Sequence, residues 1–293
     1  MRELRRRLRV MLLRGLEWPV VPPRLVEGAL VAASPLAVAS RPMRRVRANL
    51  ELLGGPWDPE GLQRQVARHA ARQFATWVGL SRSDGPRGRR GAWLDSRVRC
   101  ADSATAALEH LRAGRGAVVA TAHLGDWEVL AAWLARQGVR GGVVGLERPS
   151  DPATAWLARL RSSNGVRTYS HAAPPRELVR LLRQGGCLGI LNDLDARRSA
   201  QVEIEFLGRP ARVAKSPATL ARLAGVPIWP LVCVVEDDGW TIHGSAPILV
   251  APGEHRSAAI LAALRELAHV QEGWVRRWPG QWAWHQERWR QAP

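Results

Sequence analysis

An imidazole followed five residues later by a carboxylate is the pair in this chain most able to do chemistry. It is His123 and Glu128, in the stretch His123-Leu124-Gly125-Asp126-Trp127-Glu128. The apolar run Ala117–Ala122 reads as a buried strand that carries the imidazole to its carboxyl end. Val129–Ala135 reads as the next helix, closed by Gly138. A histidine at a strand end with an acid at the following helix start suits a general base and the group that orients it. With a repeat of about 3.6 residues, positions five apart in a helix lie about 140° apart. The pair therefore meets only if Leu124–Trp127 is a turn, which Gly125 permits through its tolerance of positive φ. The same spacing also fits Asp126 as an N-cap and Glu128 as a first-turn acid favoured by the helix dipole. Spacing alone leaves both readings open.

Three other polar residues fall where a ligand would be met. Arg148 follows the strand-like run Gly142–Leu146, and Arg161 lies in the helical stretch Pro152–Ser162. Both are candidates for holding a phosphate, because the planar guanidinium pairs with it bidentately. Asp193 ends the run Cys187–Asn192 and is a candidate for orienting an arginine or a substrate. His69, His110, His243 and His269 have no metal-ligand spacing, so no metal site is expected.

These residues must be placed by a frame, and the pattern supplies one. Strand-like runs at Ala117–Ala122, Gly142–Leu146, Val166–Tyr169 and Cys187–Asn192 alternate with helical stretches at Glu128–Gln137, Pro152–Ser162 and Pro175–Gln184. Such alternation predicts an α/β fold with a largely parallel central sheet flanked by helices. Ligands then bind beyond the carboxyl ends of the strands, where His123, Arg148 and Asp193 all fall. Val202–Phe206 and Ala211–Val213 flank a turn at Gly208. Ile228–Val235 and Trp240–His243 read as a hairpin. Helical periodicity at Glu60–Val78 and Ser103–Ala113 precedes the alternating region, and Ser81–Gly91 reads as a flexible surface loop between the two parts.

The 293 residues suffice for one large domain. Two parts are expected: a basic amphipathic segment over 1–40 and a catalytic domain over 41–293. The first carries Arg2, Arg5, Arg6, Arg7, Arg9 and Arg14 among Leu and Val, then Trp18 and three prolines. That composition fits insertion into the face of an anionic bilayer, and equally a surface helix packed on the domain. With 43 basic against 26 acidic residues the net charge is +17, and Lys215 is the only lysine. An arginine-favouring codon bias accounts for part of this surplus. The charge favours anionic partners. No zinc-finger spacing or aromatic RNA-binding signature supports a nucleic acid among them. Cys100, Cys187 and Cys233 are odd in number, which favours reduced thiols in a cytosolic compartment. No signal peptide is visible, and no run approaches the roughly 18 apolar residues of a span.

Words of the sequence resemble one family. Thr121–Glu128 resembles the His-x4-Asp/Glu box of bacterial membrane acyltransferases, in the His-x-Gly-Asn-Trp-Glu form typical of lipid A biosynthesis (late) acyltransferases of the lauroyl/myristoyl type. Arg45–Leu50, Arg148-Pro149 with Arg161 and Gly165, Leu188–Asp195, Phe206–Pro210 with Pro217–Pro227, and Pro279–Trp284 with Arg288-Trp289 resemble further words of that family, in the same order. Asp126 stands where Asn is usual, Leu194 replaces a Gln, and His285 falls one place early.

The resemblance implies a glycerophosphate-acyltransferase-like fold with a helical N-terminal part. It also implies an enzyme at the cytoplasmic face of the bacterial inner membrane, held peripherally. Its donor is an acyl carrier protein or coenzyme A thioester, with no cofactor. Its acceptor is a hydroxyl of an anionic glycolipid, with a lipid A precursor first and a phosphatidylinositol mannoside as the alternative. No Ser or Cys sits in a nucleophile elbow. His123 is therefore expected as base with Glu128 as its partner, and Arg148, Arg161 and Asp193 as substrate-binding residues. A lipid- or membrane-binding protein that keeps the fold without the activity is the non-enzymatic alternative.

Overall fold

The structure, a computed structural model, describes residues 22–145, 151–195, 200–253, 255–286 and 288–289. Its centre is a seven-stranded sheet. In chain order the strands are β1 (Val98–Cys100), β2 (Ala117–Thr121), β3 (Gly141–Gly145), β4 (Arg167–Ser170), β5 (Cys187–Leu191), β8 (Ile228–Glu236) and β9 (Gly239–Gly244). Across the sheet they run β1–β9–β8–β2–β5–β3–β4, with β8 and β9 the only antiparallel neighbours. A separate antiparallel hairpin, β6 (Gln201–Phe206) with β7 (Arg209–Ala214), turns at Leu207-Gly208. Both hairpins and the parallel core agree with the sequence reading. The short strand β1 is not legible in the sequence, because three residues are too few for a period to register.

Every residue of β2 is buried, which is why its sequence is a continuous apolar run rather than an alternating one. Its two faces serve two cores. Val118, Ala120 and Ala122 join Leu188 and Ile190 of β5 in the core beneath α9 (Ser216–Ala224) and α10 (Arg256–Arg277). Ala117, Val119 and Cys187 face the opposite core, made with α5 (Asp102–Arg112), α6 (Trp127–Arg136) and α7 (Pro152–Ser163). The helix α8 (Pro175–Arg183) links β4 to β5.

The N-terminal part is helical, as expected. Helix α1 (Pro23–Ala37) starts with proline at its first position, where no N–H partner is lost. It packs along α3 (Pro59–Ser81), which also receives α2 (Arg41–Leu53). Residues 1–21, with the arginine-rich beginning of the expected membrane segment, lie outside the described residues. The expected flexible loop after α3 is tied down instead. Arg136 of α6 donates Nη1 to the carbonyls of Pro86 and Gly88, at 2.9 and 3.2 Å, and Nε to Asp95 of α4 (Trp93–Arg97) at 3.0 Å. A buried arginine that needs acceptors collects them from this glycine-rich turn. Such a partnership of residues 50 apart leaves no local trace in the sequence.

Cys187 and Cys233 are buried free thiols, whereas Cys100 is exposed at the sheet edge. Among the described residues no helix is long and apolar enough to cross a membrane.

Candidate active site

The site grows out of the sheet's register. β2 and β5 are parallel neighbours paired Ala117 with Cys187 through Thr121 with Leu191. Two residues beyond each strand end come His123 and Asp193, so the same offset of 70 brings them side by side. The His123 amide donates to Asp193 Oδ2 at 2.9 Å, and the ring Nδ1 lies 2.8 Å from Oδ1. Trp282 Nε1 donates to Oδ2 as well, at 2.8 Å.

Asp193 is wholly buried, whereas the His123 side chain is 28% exposed. Burial alone pushes the Asp193 carboxyl up. The neighbouring His123, its two hydrogen bonds and that of Trp282 overcome this and hold it below its ordinary range. An ionised carboxylate only accepts, so Nδ1 carries the proton of this bond. Nε2 lies on the side of the ring away from the carboxylate.

The loop from His123 to Asp126 is held through the backbone groups of His123, Gly125 and Asp126. Ala283 N–H donates to the His123 carbonyl at 2.9 Å, and Gly125 N–H to the Gln281 carbonyl at 3.0 Å. Asp126 N–H reaches the Cys233 carbonyl at 2.7 Å. From α3, Gln73 Nε2 and His69 Nε2 meet the Gly125 carbonyl at 2.6 and 3.2 Å. Burial lowers the His69 pKa to about 4, so its ring is neutral and free to donate here. Gly125 has φ +65°, and a Cβ there would stand 2.0 Å from the Cys233 carbonyl oxygen, so only glycine fits. The expected turn is therefore present.

That turn does not deliver Glu128 to His123. The hydrogen bonds of Glu128 run to Arg161. Arg161 donates Nε to Oε2 at 3.0 Å and Nη2 to Oε1 at 2.6 Å, a bidentate fork between α6 and α7. Burial opposes the Arg161 charge, and Glu128 overrides it, so the guanidinium is held ionised more firmly than usual. Glu128 is 2% exposed and Arg161 12%, so the fork is spent inside the protein rather than offered to a phosphate. Asp193, expected to contact substrate, is likewise enclosed and is hydrogen-bonded to the His123 ring. Arg148 lies outside the described residues.

Asp126 occupies the N-cap position of α6 but makes no cap bond. Its Oδ1 accepts from Trp77 Nε1 at 3.0 Å, while Oδ2 is buried without a partner. Burial, helped by the charge of Glu128 and opposed by the Trp77 bond, pushes its pKa up to about 7.

Beside the imidazole an apolar cavity opens between the sheet and helices α6 and α7. Val119 and Thr121 line it from β2, and Cys187, Gly189 and Leu191 from β5. These are the same alternating positions that continue into His123 and Asp193. The cavity therefore follows the rows of β2 and β5 that end two residues short of His123 and Asp193, which do not themselves line it. From Leu191 to Cys187 it spans about 13 Å, at roughly 3.3 Å per strand residue. Glu128 and Arg161 also line it.

The C-terminal tryptophans pack against this centre. Trp282 and Trp284 are buried edge to face, with centroids 4.6 Å apart. Asn49, from the Arg45–Leu50 word, donates Nδ2 to the Trp284 carbonyl at 2.7 Å and so pins their turn to α2. Arg288 is buried over the Phe206 ring and donates Nη1 to the Arg212 carbonyl at 2.8 Å. Sequence reasoning missed the bonds of Trp282 and Asn49. Their partners lie 89 and 235 positions away, and only the order of words hinted at a shared site.

The chain is similar to known proteins. A family model described as bacterial lipid A biosynthesis acyltransferase matches residues 14–291. The chain is 26% identical over 276 residues to a phosphatidylinositol mannoside acyltransferase of Mycolicibacterium smegmatis, covering 92% of this chain and 86% of that protein. It is 31% identical over 148 residues to a protein of the same description from Mycobacterium tuberculosis strain CDC 1551, covering 47% of this chain and 46% of the relative.

Proposed function

The chain belongs to the bacterial lipid A biosynthesis acyltransferase family and is an acyltransferase; from that premise we propose that His123 is its general base and an anionic glycolipid its acceptor. The observation that carries the reading is the His123–Asp193 pair, two residues beyond the strand positions Thr121 and Leu191 that line the apolar cavity and in ring contact, through His123, with its lining residue Trp127. The cavity takes the fatty chain of an acyl carrier protein or coenzyme A thioester and so brings the carbonyl to the imidazole. His123 Nε2 removes the proton of the acceptor hydroxyl as its oxygen attacks that carbonyl. The tetrahedral intermediate collapses to the ester and expels the carrier thiolate, which takes the proton back from Nε2. Asp193 stabilises the imidazolium formed between these steps. Base catalysis of this kind is worth about 10²–10⁴-fold. Glu128 contributes by fixing α6 and α7 around the cavity through Arg161.

For the acceptor, the description of the relatives favours a mannosylated phosphatidylinositol. A lipid A precursor is supported by the family description and by glutamate at the end of the His123 box. The net charge of +17 suits either anionic acceptor and an acidic carrier. The N-terminal segment serves as a peripheral contact with the cytoplasmic face of the membrane. Leu25 and Leu36 on α1 are 65% and 84% exposed, and Arg41 and Arg44 of α2 follow directly.

Purified protein incubated with acyl carrier protein and coenzyme A thioesters, and with each acceptor in turn, decides the matter by mass spectrometry of the lipids. Ester formation on one acceptor that disappears with His123→Ala supports the reading. Transfer to neither acceptor, or transfer that survives His123→Ala, overturns it.

A further inference from the structure

The parallel ladder between β2 and β5 ends at Thr121 and Leu191, yet His123 and Asp193 beyond it are still held side by side. One side chain bridges the gap. Gln271, on α10 and 1% exposed, donates Nε2 to the Thr121 carbonyl at 2.9 Å and to Asn192 Oδ1 at 3.0 Å. A carbonyl can only accept, so the amide orientation is fixed, and both of its N–H groups are used. Thr121 stands two residues before His123, and Asn192 directly precedes Asp193. The amide thus ties the exits of the two strands immediately below the base and its carboxylate.

The surroundings make a merely space-filling role a poor fit. Leu264, Leu267, Ala268 and Val275 of the same helix are buried apolar residues in the core under the sheet. A glutamine among them has to be desolvated, and its cost is recovered only through these two bonds.

We infer that Gln271 is a positioning residue, a clamp that sets the spacing of His123 and Asp193. It touches neither reacting atom and acts through the two strand exits. The inference rests on the proposed role of His123 for its kinetic arm only, because the spacing has its own spectroscopic readout.

Two variants of the full-length protein test it. Gln271→Met keeps the length and fills the core but donates nothing. Asn192→Ala leaves Gln271 in place and removes one arm. Proton NMR reads the Nδ1–H of His123 bonded to Asp193, identified by its loss in His123→Ala. In Gln271→Met that resonance is expected to broaden or vanish by exchange with water. Acyl-transfer kcat is expected to fall at least tenfold, with KM nearly unchanged. Asn192→Ala falls less far, and the double variant is no worse than Gln271→Met, because the two residues act through one bond. A purely structural glutamine would lower melting temperature while leaving the resonance and kcat untouched, and that result overturns the clamp. If Gln271→Met fails to fold, Asn192→Ala with an unaltered resonance overturns it equally. Failure of wild type to transfer any acyl group would sink the proposed function, while the resonance would still judge the clamp.

Discussion

His123 and Asp193 stand on one register line of the sheet: the offset of 70 that pairs β2 with β5 persists two residues past the last ladder pair and aligns an imidazole with a carboxylate. The imidazole and the carboxylate therefore stand just beyond the ends of two paired strands. The geometry makes Asp193→Asn informative. Asp193 Oδ2 accepts from both the His123 amide and Trp282 Nε1, while Oδ1 faces the imidazole Nδ1. An asparagine either turns its NH2 towards two donors or presents it to Nδ1 and selects the wrong tautomer. Transfer by Asp193→Asn should fall about 10²–10⁴-fold, close to the loss in His123→Ala. Steady-state kinetics near wild type would remove Asp193 from the mechanism.

A second expectation separates Glu128 from the chemistry. Breaking a buried ion pair by altering one partner costs about 3–5 kcal/mol, because a charge is left uncompensated. Glu128→Gln should therefore destabilise the protein by an amount of that order. Replacing both Glu128 and Arg161 with methionine should recover much of the loss. Denaturant unfolding measures both. A stable Glu128→Gln protein without activity would return Glu128 to the reacting centre.

This is also where the sequence was most and least informative. His123 and Asp193 were each placed at the carboxyl end of a strand from apolar runs alone, since a strand buried on both faces writes itself as a continuous hydrophobic stretch. Their adjacency was not legible. It depends on strand order, and β5 lies next to β2 although β3 and β4 come between them in the chain. Glu128 looked like the partner because it is near in sequence, whereas its true partner, Arg161, lies 33 residues on in another helix. Gln271 gave no signal, because a single amide in an amphipathic helix looks like a surface residue until the sheet beneath it is known.

Asp126 should leave a mark on stability against pH. Its pKa rises from an ordinary 3.8 to about 7 in the folded protein. Between those values the folded state holds the proton more tightly than the unfolded state, so stability falls as pH rises through this window and stays low above it. Asparagine, the residue usual in this box, keeps an oxygen for Trp77 without the charge. Asp126→Asn should be more stable than wild type at pH 8 and little different near pH 4, by an amount on the order of a few kcal/mol. Equal unfolding free energies at both pH values would show that the carboxyl is not buried as described.

Membrane contact through α1 and α2 predicts two separable components. Salt at 1 M shortens the Debye length to about 3 Å and should release part of the protein from anionic vesicles. The remainder should depend on the outward leucines. Leu25→Asp with Leu36→Asp should weaken vesicle binding further, since each exposed leucine gains about 1.5–3 kcal/mol on burial in an apolar phase. Cosedimentation unchanged by both treatments would place the contact elsewhere.

The length of the transferred chain should answer to Gly189. It lies midway down the β5 row that lines the cavity, between Leu191 at the imidazole end and Cys187 at the far end. A Cβ at Gly189 would approach Val143 Cγ1 to 3.0 Å, tighter than ordinary contact, so even a methyl group must push the Val143 side chain on β3 aside. The half of the cavity nearest His123 is left as it is. A fatty chain that reaches past Gly189 would then meet an obstruction, while one that stops short would not. Gly189→Ala should therefore lower kcat/KM for long-chain donors and spare shorter ones. Each methylene denied burial costs about 0.8 kcal/mol, so the discrimination should grow roughly fourfold per carbon beyond the pinch. Competition between donors of graded length, read by mass spectrometry of the product, measures the shift. A uniform loss across all lengths would mean that the substitution disturbs the β3–β5 pairing, and an unchanged profile would mean that the chain does not lie in this cavity.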